Sequence, residues 1–120
     1  MMTPKEIAEL IVKTLDNKMA HDLKLLRTTD VTVLADYFVI CTATSSTQIK
    51  TLADEVEAVM EDHGEFKLHR EGHGSSWVLI DFGCVVVHIF MEEARKFFNL
   101  ERLWADAEEV DLSALLGPER

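Results

Sequence analysis

Apolar side chains recur at Ile7, Leu10, Ile11 and Leu15, the spacing of one face of a helix. Thr3, Pro4 and Glu6 stand just ahead of that stripe, and they predict a capped start with proline in the first turn. After Asn17 the segment from His21 to Arg27 alternates weakly, as a strand near a sheet edge does. A connector from Thr28 to Asp36 leads to Tyr37-Phe38-Val39-Ile40-Cys41-Thr42, which is apolar on both faces. That pattern predicts a central strand covered on both sides. Ser45 with Gln48 makes a second capping box, and Ile49, Leu52, Ala53, Val56, Val59 and Met60 form the stripe of the helix behind it. Gly64 ends that helix.

The second half reads as strands first. Phe66 to Arg70 predicts a short strand, and Glu71-Gly72-His73-Gly74-Ser75 a flexible loop feeding a β-hairpin between Trp77 and Phe90. With Phe82 and Gly83 as its two-residue loop, the ladder pairs Asp81 with Cys84, Leu79 with Val86, and Trp77 with His88. These residues share one face. The other face carries Val78, Ile80, Val85, Val87 and Ile89, is wholly apolar, and must be buried. The mixed face is either half covered or available to a partner. A helix over Arg95 to Trp104 follows. It can bury Phe97, Leu100 and Trp104, or Phe98 with Leu103, but hardly all of them.

The resulting order is helix, strand, strand, helix, strand, strand, strand, helix. It predicts a single α/β domain with a mixed sheet of about five strands flanked by helices, since only the strand-helix-strand unit around residues 45–60 must cross over. Residues 1–106 are assigned to that domain, and residues 107–120 to an acidic, loosely held tail.

Charge narrows the functional classes. Lys and Arg total 12 against 22 Asp and Glu, a net charge of −10. Such a domain repels phosphate backbones, which argues against direct nucleic-acid binding and favours a basic protein partner. Cys41 and Cys84 lie in apolar strand-like runs and fit free thiols better than a disulfide framework. The chain opens on a charged amphipathic pattern, and no apolar run approaches the length of a bilayer span. The expectation is a cytoplasmic protein with no membrane association.

Several constellations invite chemistry. The polar turn from Thr42 to Ser46, at a helix N-terminus, reads as a cap, with anion binding as the alternative. It lacks the glycines and lysine of a phosphate loop. His69 and His73 are four apart, but the glycines beside them disfavour a helix, so no metal site is expected. His88 interrupts an apolar strand and is expected as a half-buried imidazole stacked on Trp77 and bonded to a carboxylate. Its functional variant is a polar anchor in a recognition surface. Asp81 stands alone at a turn, without the paired carboxylate that a metal-dependent nucleotidyl transfer needs, and neither cysteine has a base nearby. No enzyme activity and no cofactor are expected. In contrast, the aromatics between Arg95 and Trp104 have the composition of an interaction hot spot, with burial on both faces as the alternative.

Asp36 to Thr42, Trp77-Val78-Leu79-Ile80-Asp81-Phe82-Gly83, Val87-His88-Ile89-Phe90 and Phe98-Asn99-Leu100-Glu101-Arg102-Leu103-Trp104 together resemble the Iojap-like ribosomal silencing factors. The likeness runs over residues 3–106. Two positions depart from the family pattern, Cys84 where an acidic residue is usual and Phe98 where a tyrosine is usual. The resemblance implies a nucleotidyltransferase-like fold without that family's metal carboxylates. It also implies a factor that binds the large ribosomal subunit through ribosomal protein L-fourteen, blocks association with the small subunit and represses translation. Carried over by position, the partner-binding residues are Trp77, Asp81, His88, Phe98, Leu100, Glu101 and Trp104, the aromatics as anchors and the carboxylates toward basic side chains. A nucleotide-binding or nucleotidyltransferase-like enzyme using the Thr42–Ser46 turn is the alternative. A homodimer through the same aromatic surface is also open.

Overall fold

A computed structural model describes residues 2–73 and 76–117 of the chain. Helix α1, Pro4–Asn17, begins with both halves of the expected box. The Thr3 hydroxyl accepts from the Glu6 amide at 3.1 Å, and the Glu6 carboxylate accepts from the Thr3 amide at 2.8 Å. The helix buries Ile7, Ile11, Val12 and Leu15, each contributing about 1.5–3 kcal/mol relative to exposure.

Strand β1, His21–Arg27, pairs antiparallel with β2, Tyr37–Ala43, across an irregularity between His21 and Lys24. Helix α2, Ser46–Asp62, starts on half a capping box. Ser45 Oγ accepts from the Gln48 amide at 3.0 Å. The Gln48 carboxamide oxygen goes one residue further back, to the Thr44 amide at 2.6 Å and the Thr44 hydroxyl at 2.9 Å. Gly64, at φ +78, follows the helix end as the pattern required.

Strand β3 is His69–His73, displaced from the Phe66–Arg70 expectation. Its partner β4, Trp77–Asp81, ends at Asp81, which pairs with His69 and accepts from the Leu68 amide at 2.7 Å, so residues before Leu68 have no strand to meet. Phe66 and Leu68 stay exposed, at 66% and 71%. Glu71, Gly72 and His73, read as part of a loop, therefore belong to the strand, whereas Gly74 and Ser75 lie outside the described residues.

Strand β5, Val85–Met91, pairs antiparallel with β4 and parallel with β2, and helix α3, Glu92–Phe98, follows it directly. Then come α4 (Leu100–Leu103), the two-residue strand β6 (Glu108–Glu109) and α5 (Ser113–Leu116). The sheet is mixed and six-stranded, in the order β3-β4-β5-β2-β1-β6.

One strand more than expected comes from the segment set apart as a tail. Glu108 and Glu109 pair with Arg27 and Leu26, and the Val110 amide donates to the Leu25 carbonyl at 2.8 Å. Val110, Leu112, Leu115 and Leu116 pack against the main core, so residues 107–117 are tied to the sheet rather than separate from it. Apolar positions spaced between the acidic ones explain this. Residues 118–120 lie outside the description.

Each sheet face has its own core. Helices α1 and α2 cover one face, over Leu25, Val39, Cys41, Val78, Ile80, Val85, Val87 and Ile89. This is the wholly apolar hairpin face, buried as expected. The opposite face carries Leu26, Phe38, Ile40 and Phe90 beneath Ala94, Leu100 and Trp104. Among the described residues, the short helices α3 and α4 are the only helices over it. Among the described residues no helix is long and apolar enough to cross a membrane.

Candidate partner-binding face

The face under α3 and α4 is assembled by strand period and register. Trp77, Leu79 and Asp81 of β4 stand opposite Phe90, His88 and Val86 of β5. The next strand aligns Phe38 with Val86, Ile40 with His88 and Thr42 with Phe90. This corrects the expected hairpin ladder by two residues. The loop is Gly83-Cys84, closed by the Phe82 amide donating to the Val85 carbonyl at 2.9 Å, not Phe82-Gly83. Gly83, at φ +89, is the first loop residue, where a two-residue turn of this hand needs glycine. A shift of two keeps every side chain on its predicted face while changing its partner.

His88 is 5% exposed, more deeply placed than the half-buried position expected of it. Its neighbour is an indole rather than a carboxylate: Trp77 Nε1 donates to His88 Nδ1 at 3.3 Å. Phe38 meets the imidazole edge-on with ring centroids 5.3 Å apart. Burial alone pulls its pKa down to about 4. His88 therefore lies beneath the surface and presents no anchor at it.

Half-buried Trp77 stacks on Phe90 at 5.0 Å and carries Phe98 at 4.6 Å. The segment from Arg95 to Trp104 is not the single helix expected. Asn99, at φ 47 and ψ 53, breaks it into α3 and α4. Asparagine tolerates this left-handed conformation better than most residues, which is the reason a break falls there. The break resolves the crowding of aromatics. Leu100 and Trp104 turn onto the aromatic core, Trp104 edge-on to Phe38 at 5.3 Å. Phe97, Phe98 and Leu103 remain at 81%, 42% and 69% exposure.

The two carboxylates are engaged inside the molecule. Asp81 Oδ1 accepts from the Gly83 amide at 2.7 Å, capping the hairpin turn, and Oδ2 lies 3.8 Å from the His69 imidazole. Glu101 accepts from Arg95 Nε at 2.8 Å and pairs with Lys24 Nζ at 2.9 Å. The Arg95 hydrogen bond leads the effects that bring the Glu101 carboxyl down to about 2. Arg95 also donates to Thr42 Oγ1 and to the Asp22 carbonyl, both at 2.7 Å. Of the residues proposed from the sequence, Trp77, His88, Phe98, Leu100 and Trp104 thus form one cluster. Asp81 sits four residues along β4 from Trp77, roughly 13 Å away.

Two features escaped the sequence reading. Arg95 entered only as a charge beside aromatics, yet it joins β1, β2 and α4. Phe97 and Leu103 are the most exposed apolar side chains of this segment. The asparagine inside an otherwise helical pattern was the available signal for both. In the turn from Thr42 to Ser46, Thr42 serves Arg95, while Thr44 and Ser45 are occupied with Gln48. This is the capping arrangement. Among the described residues no three of His, Cys, Asp or Glu converge as metal ligands.

The sequence model of the family described as ribosomal silencing factor during starvation matches residues 1–120. The chain belongs to this family. It is similar to the ribosomal silencing factor RsfS of Halalkalibacterium halodurans, 36% identical over 117 residues, covering 97% of this chain and 100% of that protein. It is also similar to the chloroplastic protein Iojap of Zea mays, 34% identical over 106 residues, covering 85% of this chain and 45% of that one. Among solved structures, a protein from Chromobacterium violaceum superposes with a TM-score of 0.84 at 32% identity, covering 87% of this chain and 88% of that one. The family's fold is thus the mixed α/β sheet described here, and ribosome silencing is the family's named role.

Proposed function

We propose that this chain docks on the large ribosomal subunit, on ribosomal protein L-fourteen, and so blocks association with the small subunit and represses translation in the cytoplasm. Supporting this is one observation above all: the Phe98 ring, 42% exposed, rests on half-buried Trp77 and meets exposed Phe97 edge-on. An aromatic held from below and open above is the arrangement of a binding anchor. The net charge of −10 suits a basic ribosomal surface and would speed the encounter.

On this reading the roles divide. Phe98 is the anchor, Trp77 its support, and Leu100 and Trp104 the fixed floor around it. Asp81 and Glu101 hold the turn and the helix break, and reach a partner only through their remaining lone pairs. The test is sedimentation with isolated ribosomal subunits, followed by binding to purified L-fourteen. Co-sedimentation with large subunits alone, and slower joining of the small subunit, is the expected result. Sedimentation with neither subunit would remove the reading, and self-association through Phe98 would redirect it to a homodimer.

A further inference from the structure

His88 is an unlikely choice for the place it occupies. The strand positions directly beside it on this face are apolar, Ile40 on one side and Leu79 on the other, with Phe38, Trp77 and Phe90 against the ring. Because Nδ1 accepts from the Trp77 indole, the neutral ring carries its own proton on Nε2. That nitrogen is buried and meets no hydrogen-bond partner among the described residues. A buried donor without an acceptor is destabilising, so a leucine or phenylalanine would suit the core better. What the imidazole contributes is the acceptor at Nδ1.

That acceptor fixes one rotation of a large side chain. Stacking on Phe90 sets the plane of the Trp77 ring, with 24° between the rings, but an indole can slide or flip within a stack. The bond from Nε1 to His88 selects one of the two flips. Phe98 then rests on the indole at 4.6 Å.

We infer that His88 is a positioning residue for docking, acting through Trp77: its Nδ1 sets the indole orientation that presents Phe98. The inference rests on the reading that Phe98 meets the large subunit, and it adds a residue that no partner touches.

Three variants test it. His88→Leu removes the acceptor and fills the core. His88→Asn restores an acceptor near Nδ1, while His88→Gln carries its amide near Nε2 instead. In the free protein, the indole N–H resonance of Trp77, assigned through Trp77→Phe, should move in His88→Leu and His88→Gln and stay near wild type in His88→Asn. Its proximity to the Phe98 ring should follow the same order. Affinity for isolated large subunits should fall about tenfold in His88→Leu, with the melting temperature at or above wild type, and recover in His88→Asn. If His88→Leu does not fold, the contrast between Asn and Gln decides. An unmoved indole resonance in His88→Leu, or wild-type binding by it, overturns the inference, as does equal binding by the Asn and Gln variants. Should the wild type itself fail to bind large subunits, the docking reading falls, and the indole resonance and its contact with Phe98 still decide whether His88 orients Trp77.

Discussion

Arg95 Nε donates to Glu101 Oε1 at 2.8 Å across the break at Asn99, so the two short helices are clamped where their backbone parts. The same guanidinium holds Thr42 at the end of β2 and the carbonyl of Asp22 in the irregular start of β1. Asp22 itself is at φ 48, a conformation that costs energy in a residue other than glycine. The Arg95 side chain is 10% exposed, which makes these bonds harder to replace with water. Arg95→Met should therefore lower stability by about 2–3 kcal/mol, the loss of charge-assisted hydrogen bonds. It should also weaken large-subunit binding beyond that of an exposed control, Lys96→Met, because α4 is freed. Urea unfolding and subunit affinity check both.

Asn99 supplies a cleaner test of the break. A valine there would need a left-handed backbone that β-branching opposes, at about 1–2 kcal/mol, whereas glycine adopts it without strain. The urea midpoint of Asn99→Val should fall and that of Asn99→Gly should stay close to wild type. Equal midpoints would mean that α3 and α4 can rejoin as one helix.

His88 and Glu101 should each respond to acid, over windows that overlap only between pH 4 and 4.5. His88 is held neutral by burial, its pKa near 4 against an ordinary 6.5. Below 6.5 the unfolded chain takes up a proton that the folded one refuses, so stability is complete above that pH and declines as pH falls toward 4. The loss is on the order of 3 kcal/mol by pH 4, and His88→Leu should abolish it. Glu101 is lowered to about 2 from 4.5, so its contribution is present above 4.5 and fades as pH falls through 2. Because about a quarter of the Glu101 side chain still faces solvent, screening reduces that contribution. Urea midpoints at intervals from pH 7 to pH 3 distinguish the windows: Glu101→Gln should change the slope only below 4.5.

Much of this fold was legible in the chain. The capping box at Thr3, the stripe of α2, the doubly apolar β2 and the helix-strand order needed only local spacing to be read. The hairpin faces were also legible, because a period of two survives a register shift of two. The register was not, since Gly83 serves the turn as either loop residue and only the cross-strand partners decide. Phe66 to Leu68 alternates like a strand yet lies beyond the end of β4. The tail pairs with β1 through Glu108 and Glu109, whose composition spoke for solvent. For the candidate face, the aromatics were evident, but their sorting depended on the backbone of one residue, Asn99. That Asp81 and Glu101 would spend their oxygens on Gly83 and Arg95 could not be read from composition.

The most direct test of the docking face compares Phe98→Ala with Trp104→Ala. Phe98 is 42% exposed, while Trp104 packs edge-on against Phe38 in the aromatic core. Phe98→Ala should lower the stability read by urea unfolding by about 1 kcal/mol or less, yet cost about 2 kcal/mol or more of binding, about thirtyfold in affinity for isolated large subunits. Trp104→Ala should lose about 3 kcal/mol of stability, as truncation of a packed core aromatic does. The affinity of Phe98→Ala for large subunits is the deciding measurement. A thirtyfold loss with a near-wild-type midpoint is the expected result, and wild-type affinity in this folded variant would contradict the assignment of this face.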